Sequence, residues 1–243
     1  MAFPDEEVQT YLSLLREKAG DCPTEEMNVF IKTQLEIYGT RMPDLHAMGR
    51  EWARANKKEP MGRTLELCGA LWKVPMYDAR MLAISILRMM PTRLDIEVIN
   101  AVEQWYGDMD NWAHCDALSC YVVGVAVLRH PEYLDHTSKW LSSKNPWKRR
   151  ASLLAPMMLY RKLKLEPEYS FEQLIKVKDD QEHYVKKTFE WVLREIGRKY
   201  PEKLYDFLMV NCTNYTKSQL RESIKYLSHE QKEDILQCYI TSS

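Results

Sequence analysis

Hydrophobic and polar positions along the chain recur with a period of about 35 residues. In four segments a bulky apolar residue ends a first helix, a short polar loop follows, and an aromatic residue begins a second helix. The opening aromatic residues recur at intervals of 35, 35 and 37 residues. They are Tyr77, Trp112, Trp147 and Tyr184, preceded by Trp72, Trp105, Trp140 and Val177. Two amphipathic helices per period, without a strand pattern, predict an all-α fold of HEAT-like helical hairpins that form a curved α-solenoid, with one domain over residues 1–243.

The second helices carry charged side chains on equivalent faces. In a helix, positions 3 and 4 after the opening aromatic lie on its side of the helix, as do positions 7 and 10. A stripe directed only at the core would be apolar at these positions, and the second helices of a solenoid line one surface. We therefore predict that this surface presents an acid, several cations and an indole. The residues are Arg80, Asp116, Arg150, Lys187, Trp191 and Arg194. Tyr77 and Trp147 are expected in the core.

Composition supports helices and excludes a global electrostatic field. The 243 residues are 45% hydrophobic and include only 8 glycines, and the formal net charge is −1. Such a balance is unlike that of the many nucleic-acid-binding proteins with a strongly basic surface, so any polyanion site has to be local. One local segment qualifies, because residues 137–164 contain eight Lys or Arg residues and no Asp or Glu. Phosphate is the natural counterpart of such a cluster, although a solvated helix face is an alternative interpretation.

The cysteines and the N-terminal sequence favour a cytoplasmic protein. None of the six cysteines stands at paired metal-ligand spacing, and the acidic start MAFPDEEVQ does not resemble a secretory signal. The longest apolar stretch, residues 117–128, is too short for a membrane span and predicts a buried helix. His114 beside Cys115 suggests a nucleophile pair or a metal site, but no third ligand stands at a recognised spacing. We expect reduced thiols, no metal, no cofactor and no membrane partner.

Five segments together resemble the AlkD-like DNA alkylation repair glycosylases, a family of HEAT-like solenoids. The resemblance covers most of the chain, with the blocks in the family's order and spacing. IKTQLEIYGTRMPDL resembles the N-terminal Lys, Gly and Pro signature, and NWAHCD resembles the Trp-x-x-x-Asp motif. The remaining blocks are LWKVPMYDARMLAISIL, KWLSSKNPWKRRASLL and FEWVLREIGRKYPE. The fold implied by the resemblance has a concave groove that binds double-stranded DNA.

The resemblance also implies roles for individual residues. Asp116 falls on the catalytic aspartate, and Trp112 and Trp191 fall on the aromatic residues that flank the lesion nucleotide. Arg150 and Arg194 fall on arginines that hold the DNA backbone, and we expect the nearby cations to assist them. These are Lys148, Arg149 and Lys187. The chain departs from the family pattern at Ala113, where an acid is frequent, at Cys115, where valine occurs, and at Phe30, where tyrosine is common. Substrate range and rate depend on these departures.

The implied reaction is hydrolysis of the N-glycosidic bond of a purine alkylated at N3 or N7, such as 3-methyladenine or 7-methylguanine, as in base excision repair. We expect a monomer that is located in the cytoplasm, or at the nucleoid if the source is a prokaryote. Two other interpretations of the residues stay open: Asp116 as an acid favoured at a helix start, and Trp191 as a core residue. Two other functions stay open as well, a non-catalytic HEAT-like DNA-binding module and a protein-interaction scaffold.

Overall fold

A computed structural model of the chain describes residues 3–19 and 24–242, and of these all but a few loops are helical. No β-strand occurs in these two ranges, where only two isolated β-bridges are found. None of the described helices combines the length and hydrophobicity needed to cross a bilayer. The all-α class is confirmed. Cys22 lies outside the described residues.

The chain divides into two compact units, Met1–Ala126 and Val127–Ser243. The single domain predicted for residues 1–243 stays a prediction. In unit 1 the α-helices are α1 (Phe3–Glu17), α2 (Thr24–Ile31), α3 (Met42–Ala55), α4 (Met61–Lys73), α5 (Tyr77–Arg88), α6 (Ile96–Glu103) and α7 (Trp112–Leu118). After α7 the helix continues through a π-helical segment, Ser119–Val123, into α8 (Gly124–Arg129), which ends beyond the unit boundary.

Unit 2 is helical to its last described residue. Its α-helices are α9 (Leu134–Ser138), α10 (Pro146–Leu154), α11 (Met157–Arg161), α12 (Glu168–Lys176), α13 (His183–Gly197), α14 (Pro201–Asn211), α15 (Lys217–Ser223) and α16 (His229–Ser242). Short 3₁₀ helices span Pro91–Arg93, Gln104–Asp108, Pro131–Tyr133, Lys139–Ser142 and Cys212–Asn214.

The predicted HEAT-like hairpins are present in both units. The opening aromatics mark helix starts, since α5 begins at Tyr77 and α7 at Trp112, while Trp147 and Tyr184 are the second residues of α10 and α13. In unit 1, α4 packs on α5 across the first predicted loop, and in unit 2 the 3₁₀ helix Lys139–Ser142 packs on α10 across the third. The second helices of successive repeats also pack together, α10 on α13. Trp105 and Trp140 lie in 3₁₀ helices that follow the α-helices and precede each loop, and not in the α-helices themselves.

Local sequence signals set several helix starts. Asn111 begins α7 by accepting a hydrogen bond from the His114 amide at 3.0 Å. Asn145 does the same for α10, accepting from the amides of Trp147 and Lys148. A side-chain oxygen at this position satisfies amides that have no partner inside the helix. Tyr77 and Trp147 are buried, as expected, and so is most of the apolar segment 117–128.

Candidate functional site

The motif helix α7 divides into a buried face and an open face. His114, Cys115 and Leu118 are fully buried. The open face consists of half-buried side chains, Trp112, Ala113, Asp116 and Ala117. Asp116 lies one helical turn after Trp112, on the same side of the helix. Asp116 is therefore neither sealed in the core nor fully exposed.

The indole of Trp112 is held by Phe30, the residue directly before the segment IKTQLEIYGTRMPDL. Its Nε1 donates to the carbonyl oxygen of Phe30 at 3.3 Å. The Phe30 ring meets the Trp112 ring edge to face, with centroids 5.3 Å apart. Phe30 is itself 71% exposed, as is its neighbour Val29 at 76%. Phe30, the departure from the family's tyrosine, thus belongs to the rim of this site, and its backbone orients the indole.

Asp110 also ties the segment before α7 to the N-terminal signature, and sequence reasoning missed this residue. One of its carboxylate oxygens accepts from the Thr33 hydroxyl at 2.6 Å and from the Gln34 amide at 2.7 Å. The other oxygen accepts from the side-chain amide of Asn111 at 2.8 Å. Burial alone would raise the pKa of Asp110, but these hydrogen bonds lower it below its ordinary value. The segment DN directly before Trp112 is a helix-start signal that could have indicated a structural role.

His114 is a structural residue of this network. Its Nδ1 lies 2.9 Å from the Asn111 amide nitrogen, and its Nε2 lies 3.0 Å from the carbonyl oxygen of Tyr77. Because the Asn111 amide donates to Nδ1 and the carbonyl accepts from Nε2, the ring is neutral. Burial lowers the pKa of His114 to about 4. Its ring also stacks on Tyr77, at a centroid distance of 4.5 Å. Among the described residues, no group of three His, Cys, Asp or Glu side chains could hold a metal ion.

The loop before α3 is tied to α5 by a buried carboxylate. Asp78 is fully buried and accepts from the amides of Tyr38 and Thr40, each at 2.7 Å. Gly39 lies between them at a φ of 80°, a conformation that favours glycine. This explains the Gly of the N-terminal signature, because a side chain there would strain the turn that delivers both amides to Asp78.

Two of the charged residues expected on the second-helix surface are buried instead. Arg80 is 8% exposed and donates to the carbonyl oxygens of Trp72 and Asp108, at 3.0 and 2.8 Å. Arg150 is 5% exposed and donates through Nη1 to the Tyr184 carbonyl at 2.5 Å and the Thr188 hydroxyl at 2.8 Å. The prediction that this stripe faces solvent is therefore wrong for these two arginines. Each connects its helix to the next repeat, and the role of Arg150 toward DNA stays a prediction.

Three of the other predicted DNA-binding cations of unit 2 have acidic partners. Arg149 forms a two-point ion pair with Asp180, at 2.6 and 3.1 Å, and donates to the carbonyl oxygens of Ser143 and Lys144. Arg194 lies 3.2 Å from Glu222, and Lys187 lies 3.1 Å from Glu190. Sequence reasoning missed these acids because Asp180 and Glu222 are 31 and 28 residues away from their partners. The positive cluster is therefore partly neutralised within the unit.

Trp191 lies on the open face of α13. It is half-buried, between the exposed Lys187 and the half-buried Arg194, whereas the opposite face of α13 packs into the core through Val192 and Leu193. Lys148 is half-buried on α10. Trp191 is thus not a fully packed core residue. Its predicted contact with a lesion nucleotide, like that of Trp112, stays a prediction.

Comparisons with known proteins agree with these features. The sequence model of a family described as DNA alkylation repair enzyme matches residues 12–227. A search of curated proteins finds no match. A solved structure titled as a predicted DNA alkylation repair enzyme from Enterococcus faecalis superposes with a TM-score of 0.75, at 20% identity, over 88% of this chain and 96% of that one. The structure of AlkD2 from Streptococcus mutans gives 0.62, at 15% identity, over 91% and 99%. These similarities confirm the HEAT-like fold of the prediction.

Proposed function

Since the chain belongs to the DNA alkylation repair enzyme family, we propose that it is a glycosylase that acts on duplex DNA. Its substrates are purines alkylated at N3 or N7, such as 3-methyladenine and 7-methylguanine. One observation carries the proposal: Asp116 is a half-buried carboxylate on the open face of α7, one turn from the half-buried indole of Trp112. Asp116 is the fifth residue of α7 and lies beyond its first turn, so it is not placed as an acid that stabilises the helix start.

The chemistry follows from the charge of the substrate. A purine alkylated at N3 or N7 is already a cation, so it can leave with the electrons of the glycosidic bond without being protonated. The usual second carboxylate that acts as a general acid is then unnecessary. As the bond lengthens, positive charge develops on the deoxyribose. A nearby carboxylate stabilises that charge and orients the attacking water, most strongly where it is partly desolvated.

The indoles and the cations have separate tasks in this proposal. Trp112 and Trp191 offer electron-rich faces to the sugar and the cationic base, and such a contact is worth about 1–2 kcal/mol when desolvated. Arg194, Lys148 and Lys187 contact phosphates and set the position of the duplex. The protein would act as a monomer in the cytoplasm, as the first enzyme of base excision repair.

The test measures free base released from methylated duplex DNA. The wild-type protein should release 7-methylguanine, and Asp116→Asn should lower the rate by about 10²–10³-fold, the usual effect of removing one electrostatic stabiliser. Duplex binding should stay within about twofold, since the open face keeps its shape. Asp108→Asn is the matched control, because its carboxylate is exposed and lies eight residues earlier; this variant should retain full activity.

The outcomes separate the three functions. Equal release by Asp116→Asn and wild type would refute the role of Asp116. A wild-type protein that binds duplex DNA but releases no base would be a non-catalytic DNA-binding module. A protein that neither releases base nor binds DNA at low salt would be an interaction scaffold.

A further inference from the structure

Two thiols of unit 2 lie in direct contact. The Sγ atoms of Cys212 and Cys238 are 3.1 Å apart, and both cysteines are reduced. Cys212 begins the 3₁₀ turn that follows α14, and Cys238 lies in α16, near the end of the chain. Cys212 is buried, whereas Cys238 is half-buried and reachable from solvent. The two sulfur atoms are therefore already close enough to react with each other, and a reagent in solution can reach Cys238 first.

The helix that carries Cys238 is otherwise weakly attached. Within α16, whose side chains are all described, only Ile235 is buried. Two of its polar contacts to α14 are exposed: the Tyr205 hydroxyl donates to Asp234, and the Gln231 side-chain amide donates to Glu202, both at 3.0 Å. A third is made by the Cys238 thiol itself, which donates to the Met209 carbonyl oxygen at 3.4 Å. Exposed contacts of this kind contribute little, and segments with few buried side chains open first. A covalent link at this point would therefore change the local stability of α16.

We propose that Cys212 and Cys238 form an oxidisable dithiol, which a low-molecular-weight disulfide converts into an intrachain disulfide that fastens α16 to α14. The Cys238 thiolate attacks one sulfur of the small disulfide, whose S–S bond breaks and releases one thiolate. A mixed disulfide on Cys238 results. Cys212 then loses its proton and attacks the Cys238 sulfur, expelling the second small thiolate. Two electrons pass to the oxidant, and the two small thiols take up the two protons.

The environments of the two sulfurs set the order of attack. Burial, together with the contact to Cys238, raises the pKa of Cys212 to about 11, so at neutral pH its thiol is protonated. Cys238 is the more accessible thiol and reacts first, because only a thiolate that the oxidant can reach attacks a disulfide. The remaining described cysteines, Cys68, Cys115 and Cys120, are buried and have no such access. Among the described cysteines, the reaction should therefore be selective for this pair.

The test treats the full-length protein with oxidised glutathione, blocks the remaining thiols, and maps tryptic peptides without reduction. Cleavage after Lys203, Lys217 and Lys232 places the two cysteines on peptides 204–217 and 233–243. We expect a disulfide to join these two peptides, formed within one protein chain. In Cys212→Ser the glutathione adduct should persist on Cys238, and in Cys238→Ser no linked peptide should form.

Other products would overturn the proposal. One is a wild-type protein that keeps the glutathione adduct on Cys238 without forming the disulfide. Another is a disulfide from Cys212 or Cys238 to a different cysteine or to another chain. The third is a protein in which both thiols stay free. The mapping of wild type decides this even if a serine variant fails to fold.

A second readout tests the fastening itself. Amide hydrogen exchange in α16 should slow by about tenfold after oxidation of the wild type, because the link prevents local opening. Cys238→Ser, treated in the same way, should show no change. Linked peptides with unchanged exchange in α16 would contradict the fastening.

Discussion

The motif helix α7 in unit 1 and the helices α10 and α13 in unit 2 occupy equivalent places in the repeat. They differ in whether a charged side chain near the start of the helix is buried. On α7 the acid at the fourth position after the opening aromatic, Asp116, is half-buried on an open face. On α10 the cation at the third position, Arg150, is buried and donates to α13. Adjacent positions of the repeat thus leave an acid on an open helix face in one unit and form a buried structural connection in the other.

The difference arises from the length of the side chain and from the hydrogen-bond partners that it can contact. An arginine side chain is long and carries five N–H donors, so it can reach a carbonyl oxygen on the neighbouring helix. An aspartate on a helix face is short and accepts only. Arg80 behaves as Arg150 does, with carbonyl partners in its own unit. The charged residues of the stripe therefore differ in exposure, and only some of them lie on open helix faces.

Two substitutions in unit 2 test this division most strongly. Arg150→Ala should lower the free energy of unfolding by about 3 kcal/mol, since it removes two buried hydrogen bonds and the packing of the side chain. Arg194→Ala should cost less than about 1 kcal/mol, because its ion pair with Glu222 is partly exposed. Urea unfolding measures both. In DNA titrations, Arg194→Ala should lower the salt dependence by about one unit of slope.

A stable Arg150→Ala protein with a reduced salt slope would break the comparison. Arg150 would then hold phosphate, as the family resemblance implies. Arg150→Lys serves as the control that keeps the charge while changing the hydrogen-bond geometry.

The pH dependence of stability tests the network beneath α7. The pKa of His114 is lowered to about 4 in the fold, whereas an unfolded histidine titrates near 6.5. Its contribution is complete above pH 6.5 and is lost as the pH falls from there toward 4, because the unfolded chain binds the additional proton. Between pH 7.5 and pH 5 we expect a loss of about 2 kcal/mol in unfolding free energy.

Urea unfolding at several pH values measures this loss. A His114→Gln variant should show a much flatter pH response, and the exposed histidine in His229→Gln is the matched control that should leave the response unchanged. Equal slopes in wild type and His114→Gln would show that His114 does not titrate in this range.

The connection between Asp110 and the N-terminal signature sharpens the description of the site. Asp110→Asn should weaken the bonds to Thr33 and Gln34 and lower the unfolding free energy by about 1 kcal/mol. Because Phe30 then holds the indole of Trp112 less firmly, base release should fall by about tenfold, with little change in duplex affinity. Unchanged release at reduced stability would show that the anchor Asp110 does not affect the open face of α7. Glu103→Gln, a half-buried acid on α6, is the comparison variant.

The smallest expected effect concerns the acid that pairs with Arg194. Glu222→Gln removes the charge that neutralises this guanidinium and should raise duplex affinity by about two- to threefold, with a steeper salt dependence. Binding measured by fluorescence anisotropy at two salt concentrations checks this. Glu230→Gln, an exposed acid at the start of α16, should have no such effect. Identical affinities for wild type and Glu222→Gln would show that Arg194 does not contact phosphate.

Much of the fold was predictable because it depends on local patterns. The period of opening aromatics placed the starts of α5, α7, α10 and α13 within one residue, since an aromatic after a short polar loop marks the beginning of each second helix. The candidate acid and its indole were predictable from the motif NWAHCD. The role of Asp110 was not recognised, although the residues before Trp112 carry a helix-start signal.

The sequence by itself determined the helical class, the repeat, and the placement of Trp112 and Asp116 on one side of one helix, because helical periodicity and helix-start preferences act over a few residues. Only the tertiary structure decided which charges remain open. Arg150 finds a carbonyl 34 residues away, Arg149 an acid 31 residues away, and Asp110 a hydroxyl 77 residues away. Burial and pairing depend on such distant contacts, which packing creates and no local pattern encodes.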